Sequence, residues 1–209
     1  MASVNAPRGL VLARKNGSGS NSTGISTINV NGSPIKASAL LPSNIYTGDI
    51  VRCNPAGTII PCTASATKVV NGVFQGCSYV SSTGAQKYSR YWTGGATATD
   101  VKIFISDDPK QTYFVQANAT CTAAGNWAGN SSMNTSITLG TGSTKTGNSA
   151  TLITAAAVTA GQNIVRIIRR APWDTGTGTS AGATDAYPWW EVRLNTHVDN
   201  FVTTTASTG

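Results

Sequence analysis

The residues able to do chemistry are few and scattered. A chain of 209 residues holds eight acids, one histidine and four cysteines. Asp107 and Asp108 could form a general acid–base pair or a metal site. Successive strand residues point to opposite faces, so the two carboxylates do not converge on one ion. With Pro109 behind them they read as a turn. His197 and Asp199 are the types needed to activate a serine, but Ser18 and Ser20 in Gly17-Ser18-Gly19-Ser20 make no nucleophile elbow. His197 reads instead as a structural hydrogen-bonder. The run Gly140–Thr146, GTGSTKT, approaches a phosphate-binding loop, yet Thr144 stands where that loop needs glycine before Lys-Ser/Thr. No catalytic, cofactor-binding or metal residue is expected, and the reading is of a protein that is not an enzyme.

The cysteines are 53, 62, 77 and 121. Cys53 and Cys62 flank NPAGTIIP, read as a hairpin turn, so a disulfide between them is geometrically possible. Synthesis in the cytosol argues instead for free, buried thiols. There is no Cys-x-x-Cys pair to suggest zinc.

The elements that must position these groups read as strands. Val101, Ile103 and Ile105 alternate with Lys102, Phe104 and Ser106 until the Asp-Asp-Pro turn, and Tyr113, Phe114 and Val115 start the next strand. Val73–Val80 and Tyr88–Trp92 are earlier strands around the turn Ser81–Gly84. Ile45–Val51 is a strand broken at Gly48-Asp49, and Asp100 is taken as another turn residue. Ile164–Ile168 makes a strand decorated by Arg166, Arg169 and Arg170, and Trp189–Leu194 closes the sheet. Residues 150–160 (ATLITAAAVTA) are the one plausible helix. The fold class is therefore all-β, a compact β-barrel or sandwich with an extended N-terminal arm and long Gly/Thr/Ser-rich loops. Residues 1–24 form the arm, 25–202 the β-rich domain with room for a small second lobe within 117–185, and 203–209 a flexible tail.

Bulk properties narrow the partners. Charged residues are 11% of the chain, against about 25% in ordinary soluble domains, so Ser, Thr, Asn and Gly must supply much of the polar surface. The net charge of +7 permits an anionic partner. The basic residues are spread along the chain without the aromatic interleaving of single-strand binders, so nucleic acid is not the expected partner. No run of about 18 apolar residues suggests a membrane span. The N-terminal stretch lacks the apolar core of a secretory leader.

The combination Gly-Val-Phe-x-Gly-Cys-x-Tyr from Gly72, then Tyr91-Trp92, Asp107-Asp108-Pro109 and the strand ending in Gln116, resembles the capsid decoration, or cement, proteins of tailed bacteriophages. The start Ala6-Pro7-Arg8-Gly9-Leu10, the Tyr46-x-Gly-Asp-x-Val51 segment and Val192-Arg-Leu-Asn-x-His197 are similar in the same order. Residues 117–150 and 174–185 depart from that pattern. The resemblance implies a structural virion protein. It would be made in the host cytoplasm, carried on the capsid exterior, self-associate as a homotrimer, and bind the major capsid (coat) protein to stabilise coat-subunit contacts. The arm, through Arg8, Leu10, Val11, Leu12 and Arg14, would reach coat or a neighbouring protomer. Trp92, Trp189 and Trp190 are further contact candidates, since large aromatics are favoured at interface centres. Strand alternation puts one indole of Trp189-Trp190 outward, and that one is the better contact. A second class, a carbohydrate- or host-surface-binding module of a virion, would use aromatics on the loops such as Trp127 or Trp173.

Overall fold

The computed structural model describes residues 4–15, 25–29, 43–54, 58–62, 69–118, 134–154, 163–174 and 186–198. Their β-branched and aromatic runs form fifteen strands, and no helix occurs among the described residues. In chain order the strands are β1 (Val11–Lys15), β2 (Ile25–Asn29), β3 (Ile45–Tyr46), β4 (Ile50–Cys53) and β5 (Ile59–Pro61). There follow β6 (Gly72–Ser81), β7 (Gln86–Ser89), β8 (Tyr91–Trp92), β9 (Ala98–Ser106) and β10 (Gln111–Gln116). The last five are β11 (Asn134–Thr135), β12 (Ile137–Thr138), β13 (Leu152–Ile153), β14 (Val165–Arg170) and β15 (Trp189–Leu194).

Two sheets carry the fold. One has the order β1-β10-β15-β14-β11; the other runs β2-β9-β6-β4-β5, with β7 also paired to β6. Small pairs β3-β8 and β12-β13 complete it. The all-β class holds and the sheets are arranged in sandwich fashion. The barrel alternative does not: among the described residues the first sheet ends at β1 and β11 and the second at β2 and β5, so neither closes on itself.

Alternation along β4 and β6 explains how the core is divided. Ile50 and Val73 join Tyr113, Val115, Val165, Ile167, Val192 and Leu194 in the cluster beneath the five-stranded sheet. Their chain neighbours Val51 and Phe74 point the other way. They join Ile45, Trp92, Val101, Ile103 and Ile105 in a second cluster. Full burial of each such aliphatic side chain contributes about 2 kcal/mol, so β4 and β6 tie the two clusters into one unit. The close approach of β6 to β9 requires glycine at 72. A Cβ there would stand 2.2 Å from the Ser106 carbonyl oxygen, and its φ is +151°.

The turn at Asp107-Asp108-Pro109 takes the chain from β9 in one sheet to β10 in the other. Lys110 N–H donates to Asp108 Oδ1 (2.8 Å) and Gln111 N–H to the Asp108 carbonyl (3.0 Å). The Gly48-Asp49 break also forms. Asp49 is buried and its carboxylate accepts from Tyr46 N–H (2.8 Å), Ser149 Oγ–H (2.5 Å) and Thr151 Oγ1–H (3.1 Å). It thereby latches the loop before β13 onto the β3–β4 turn. Burial pushes this carboxyl above its usual 3.8, and the three hydrogen bonds pull it back only in part.

Several expectations are corrected. Residues 10–15 are not a free arm: Leu10 is 1% exposed in the core, its N–H donates to Gly48 O, and β1 pairs with β10. The physical reason is alternation, which turns Leu10 and Leu12 inward while Val11 faces out. Leu152–Ile153 is strand rather than helix, because Ile153 completes the core and pairs with Ile137. Residues 155–160 lie outside the described residues. β15 does not close the sheet but sits at its centre between β10 and β14. Asp100 lies within β9 at a bulge, with φ +49°, where the register against β6 slips. Cys53 is opposite Ile59 across β4–β5, not opposite Cys62; the thiols of Cys53, Cys62 and Cys77 form no disulfide, as expected, but Cys53 is exposed rather than buried. Ile137 and Ile153, from the region given to a second lobe, are part of the common core.

Candidate functional site

The outer face of the five-stranded sheet holds the most distinctive surface. Directly paired strand residues share a face. Phe114 of β10 is opposite Glu191 of β15, Gln116 opposite Trp189, and Thr112 opposite Arg193. On the other side of β15, Arg169 is opposite Glu191 and Arg166 opposite Arg193. Val11 of β1 flanks Phe114. Since Tyr113, Val115 and Val192 point into the core, this whole set points away from it, with Thr112, Gln116 and Glu191 themselves covered and buried by their neighbours on this face.

An open groove of about 410 Å³ lies here, lined by Ala6, Arg8, Val11, Phe114, Trp173 and Trp189. Trp173 is 57% exposed and packs edge-on against Phe114, with centroids 4.1 Å apart and planes at 66°. The loop bearing Trp173 is held by its neighbour. The Asp174 carboxylate accepts from Trp189 N–H (2.6 Å) and from Arg170 Nη2 (3.1 Å). The far wall is set by Gln116. Its side chain donates to the Val4 carbonyl (2.8 Å) and accepts from Ala6 N–H (3.0 Å). Residues 4–8 are thus laid across the sheet, and exposed Arg8 stands at the groove.

The face is basic. Its acids are engaged: buried Glu191 accepts from Thr112 Oγ1 (2.9 Å) and from Arg169 Nε (2.5 Å), and Asp174 holds Arg170. Arg8, Arg166 and Arg193 have no ion-pair partner among the described residues.

Of the residues expected to make contacts, the structure brings Arg8, Val11 and Trp189 together at this groove. It does not bring the others. Leu10 (1%), Trp92 (1%) and Trp190 (9%) are core residues, and Leu12 packs against the core half-buried. Trp92 meets Tyr79 edge-on at 5.4 Å. The side chain of Arg14 and all of Trp127 lie outside the described residues. Trp189 is the outward member of its pair, as alternation requires. Phe114 is the residue that sequence reasoning missed. The signal was present, since Phe114 falls between Tyr113 and Val115 and must face out when they face in.

His197 is 1% exposed, with Nε2 3.0 Å from the Asn71 carbonyl; Asp199 lies outside the described residues. Gly142 in the GTGSTKT run lies against the Tyr46 ring, where a Cβ would stand 2.2 Å from the ring. No group of three His, Cys, Asp or Glu that could hold a metal occurs among the described residues. No helix long and apolar enough to cross a membrane occurs among the described residues. The chain matches no family model, no curated protein and no solved structure.

Proposed function

We propose that this is a structural virion protein of a tailed bacteriophage. It binds the outer surface of the capsid through the groove face and stabilises contacts between coat subunits. The observation that carries the reading is an apolar, aromatic groove held open on a sheet by Asp174 and Gln116. Preorganised aromatic pockets rimmed by arginine are what a docking surface needs, because little ordering cost remains on binding. The ordered run of motifs that resembles decoration proteins supplies the identity of the partner, the coat protein. Self-association as a homotrimer belongs to the same reading, since three weak copies bound together gain avidity. The N-terminal residues contribute by walling the groove with Ala6 and Arg8 rather than by reaching out as an arm.

The test is mass photometry of the purified protein alone and mixed with matching capsids stripped of it. A trimer that rebinds at fixed stoichiometry is expected. A monomer that ignores capsids refutes the reading. One observation favours a second reading: the half-exposed Trp173 indole beside Trp189 is also a platform for a sugar ring. Binding of the isolated protein to a glycan array, with loss in Trp173→Ala, would favour that virion host-surface module instead.

A further inference from the structure

Arg166 and Arg193 sit directly opposite each other across β14–β15. Side chains so placed have Cβ atoms about 5 Å apart, and like charges there oppose folding. Neither has an acidic partner among the described residues, while both acids of this face serve other arginines. A like-charged pair held on two adjacent strands of the sheet is a ready seat for an anion from outside. Two guanidinium forks side by side suit carboxylates, which they can grip bidentately.

The aromatic groove lies on the same face at a fixed distance. Trp189 and Arg193 are four residues apart on β15, which is about 13 Å along the strand. An extended polypeptide has the same rise, so residues i and i+4 of a segment lying along β15 reach the two sites from one side. We propose that this face binds an extended acidic segment of a partner polypeptide, with an apolar side chain at i in the groove and a carboxylate at i+4 between Arg166 and Arg193. The inference rests on the capsid reading only in taking the segment to come from coat protein. Nucleic acid fits less well. Trp173 meets Phe114 edge-on, and Trp189, Ala6 and Val11 line the rest with Arg8, so the groove seats one apolar side chain among rings set at an angle rather than offering parallel faces for successive bases.

The experiment uses fluorescence anisotropy with the full chain. The probe is a labelled nine-residue peptide carrying leucine at i and glutamate at i+4, against an isomer with the spacing cut to i+1. A single-stranded oligothymidylate and a sialylated oligosaccharide are the rival probes. The first peptide is expected to bind, and the isomer about tenfold more weakly. Arg166→Glu with Arg193→Glu should lower affinity about tenfold or more, and a lysine-for-glutamate peptide should recover it. Arg166→Gln with Arg193→Gln serves if the reversal disturbs folding, and Trp173→Ala tests the groove end. No binding up to millimolar peptide, equal binding of the isomer, or tighter binding of oligothymidylate or the oligosaccharide overturns the proposal. Capsid rebinding separates the two claims. If wild type rebinds and the double variant rebinds equally well, this inference alone fails. If wild type ignores capsids but binds the peptide as described, the capsid reading alone fails.

Discussion

Asp174 is the side chain on which the groove depends, and its removal has a calculable cost. Its side chain is 4% exposed and accepts charge-assisted hydrogen bonds from Trp189 N–H and Arg170. A hydrogen bond to a charged group contributes about 1.5–3 kcal/mol net, which sets the Trp189 part. The Arg170 part is smaller, about 1 kcal/mol, because that side chain is 22% exposed and solvent screens the pair. Asp174→Ala should therefore cost about 3 kcal/mol, or about 6–12 °C in melting temperature for a domain of this size. Asp174→Asn keeps an acceptor for Trp189 N–H and loses the charge, so about 1–2 kcal/mol is expected.

Urea unfolding gives both numbers. The site consequence needs a separate signal, because the chain has five tryptophans. The near-ultraviolet circular dichroism of the Phe114–Trp173 pair, taken as the difference between parent and Trp173→Phe, should vanish in the Ala background. It should survive in the Asn one. A cost under about 0.5 kcal/mol for Asp174→Ala, the level of an ordinary surface change, would mean that this carboxylate does not hold the loop. A difference spectrum that persists would mean that Trp173 is held by something else.

Three further outcomes follow from the framework. Asp49 has a folded-state pKa raised above 3.8, so the native state holds this proton more tightly than the unfolded chain. Its contribution is complete below 3.8 and is lost as pH rises through the raised value. Asp49→Asn cannot ionise, so its stability relative to wild type should improve from about pH 4 toward pH 7 in urea titrations, and a flat difference would contradict this. Gly72→Ala should cost about 3 kcal/mol or more, because the added methyl meets the Ser106 carbonyl at 2.2 Å; wild-type-like melting would refute the close approach. Burial pushes the Cys77 thiol up to about 12, so maleimide followed by peptide mapping should label exposed Cys53 in the native protein and Cys77 only on unfolding.

What could be read from the chain was what period-2 patterning encodes. Val101, Ile103 and Ile105 are buried and Lys102 is exposed, as their alternation requires. The Asp-Asp-Pro turn formed because side-chain acceptors and a fixed φ act locally. Pairing between distant strands has no such local signature. Nothing near β9 and β10 says that they belong to different sheets, and nothing near Trp189 says that β15 is central. The same limit governed the contact candidates. Leu10, Trp92 and Trp190 are good interface types and equally good core types, and only the sheet packing above them decides between the two.

The groove illustrates the step that sequence patterning cannot make alone. Its residues come from four separated stretches: 6–11, 114, 173 and 189. Each has a separate cause. β1 pairing with β10 puts Val11 beside Phe114, Gln116 draws residues 4–6 across the sheet, and Asp174 brings Trp173 down. The two polar anchors are a glutamine in a strand and an aspartate in a loop, and neither stood out as chemistry-bearing. A site made this way is rigid because its anchors are buried and satisfied, yet it has no motif. Its selectivity would then reside in spacing along β15, from Trp189 to Arg193, rather than in any one reactive group. For that reason the spacing isomer of the acidic peptide is a sharper probe than any single substitution: it keeps composition and charge and alters only where the carboxylate falls relative to the apolar side chain, in both distance and face.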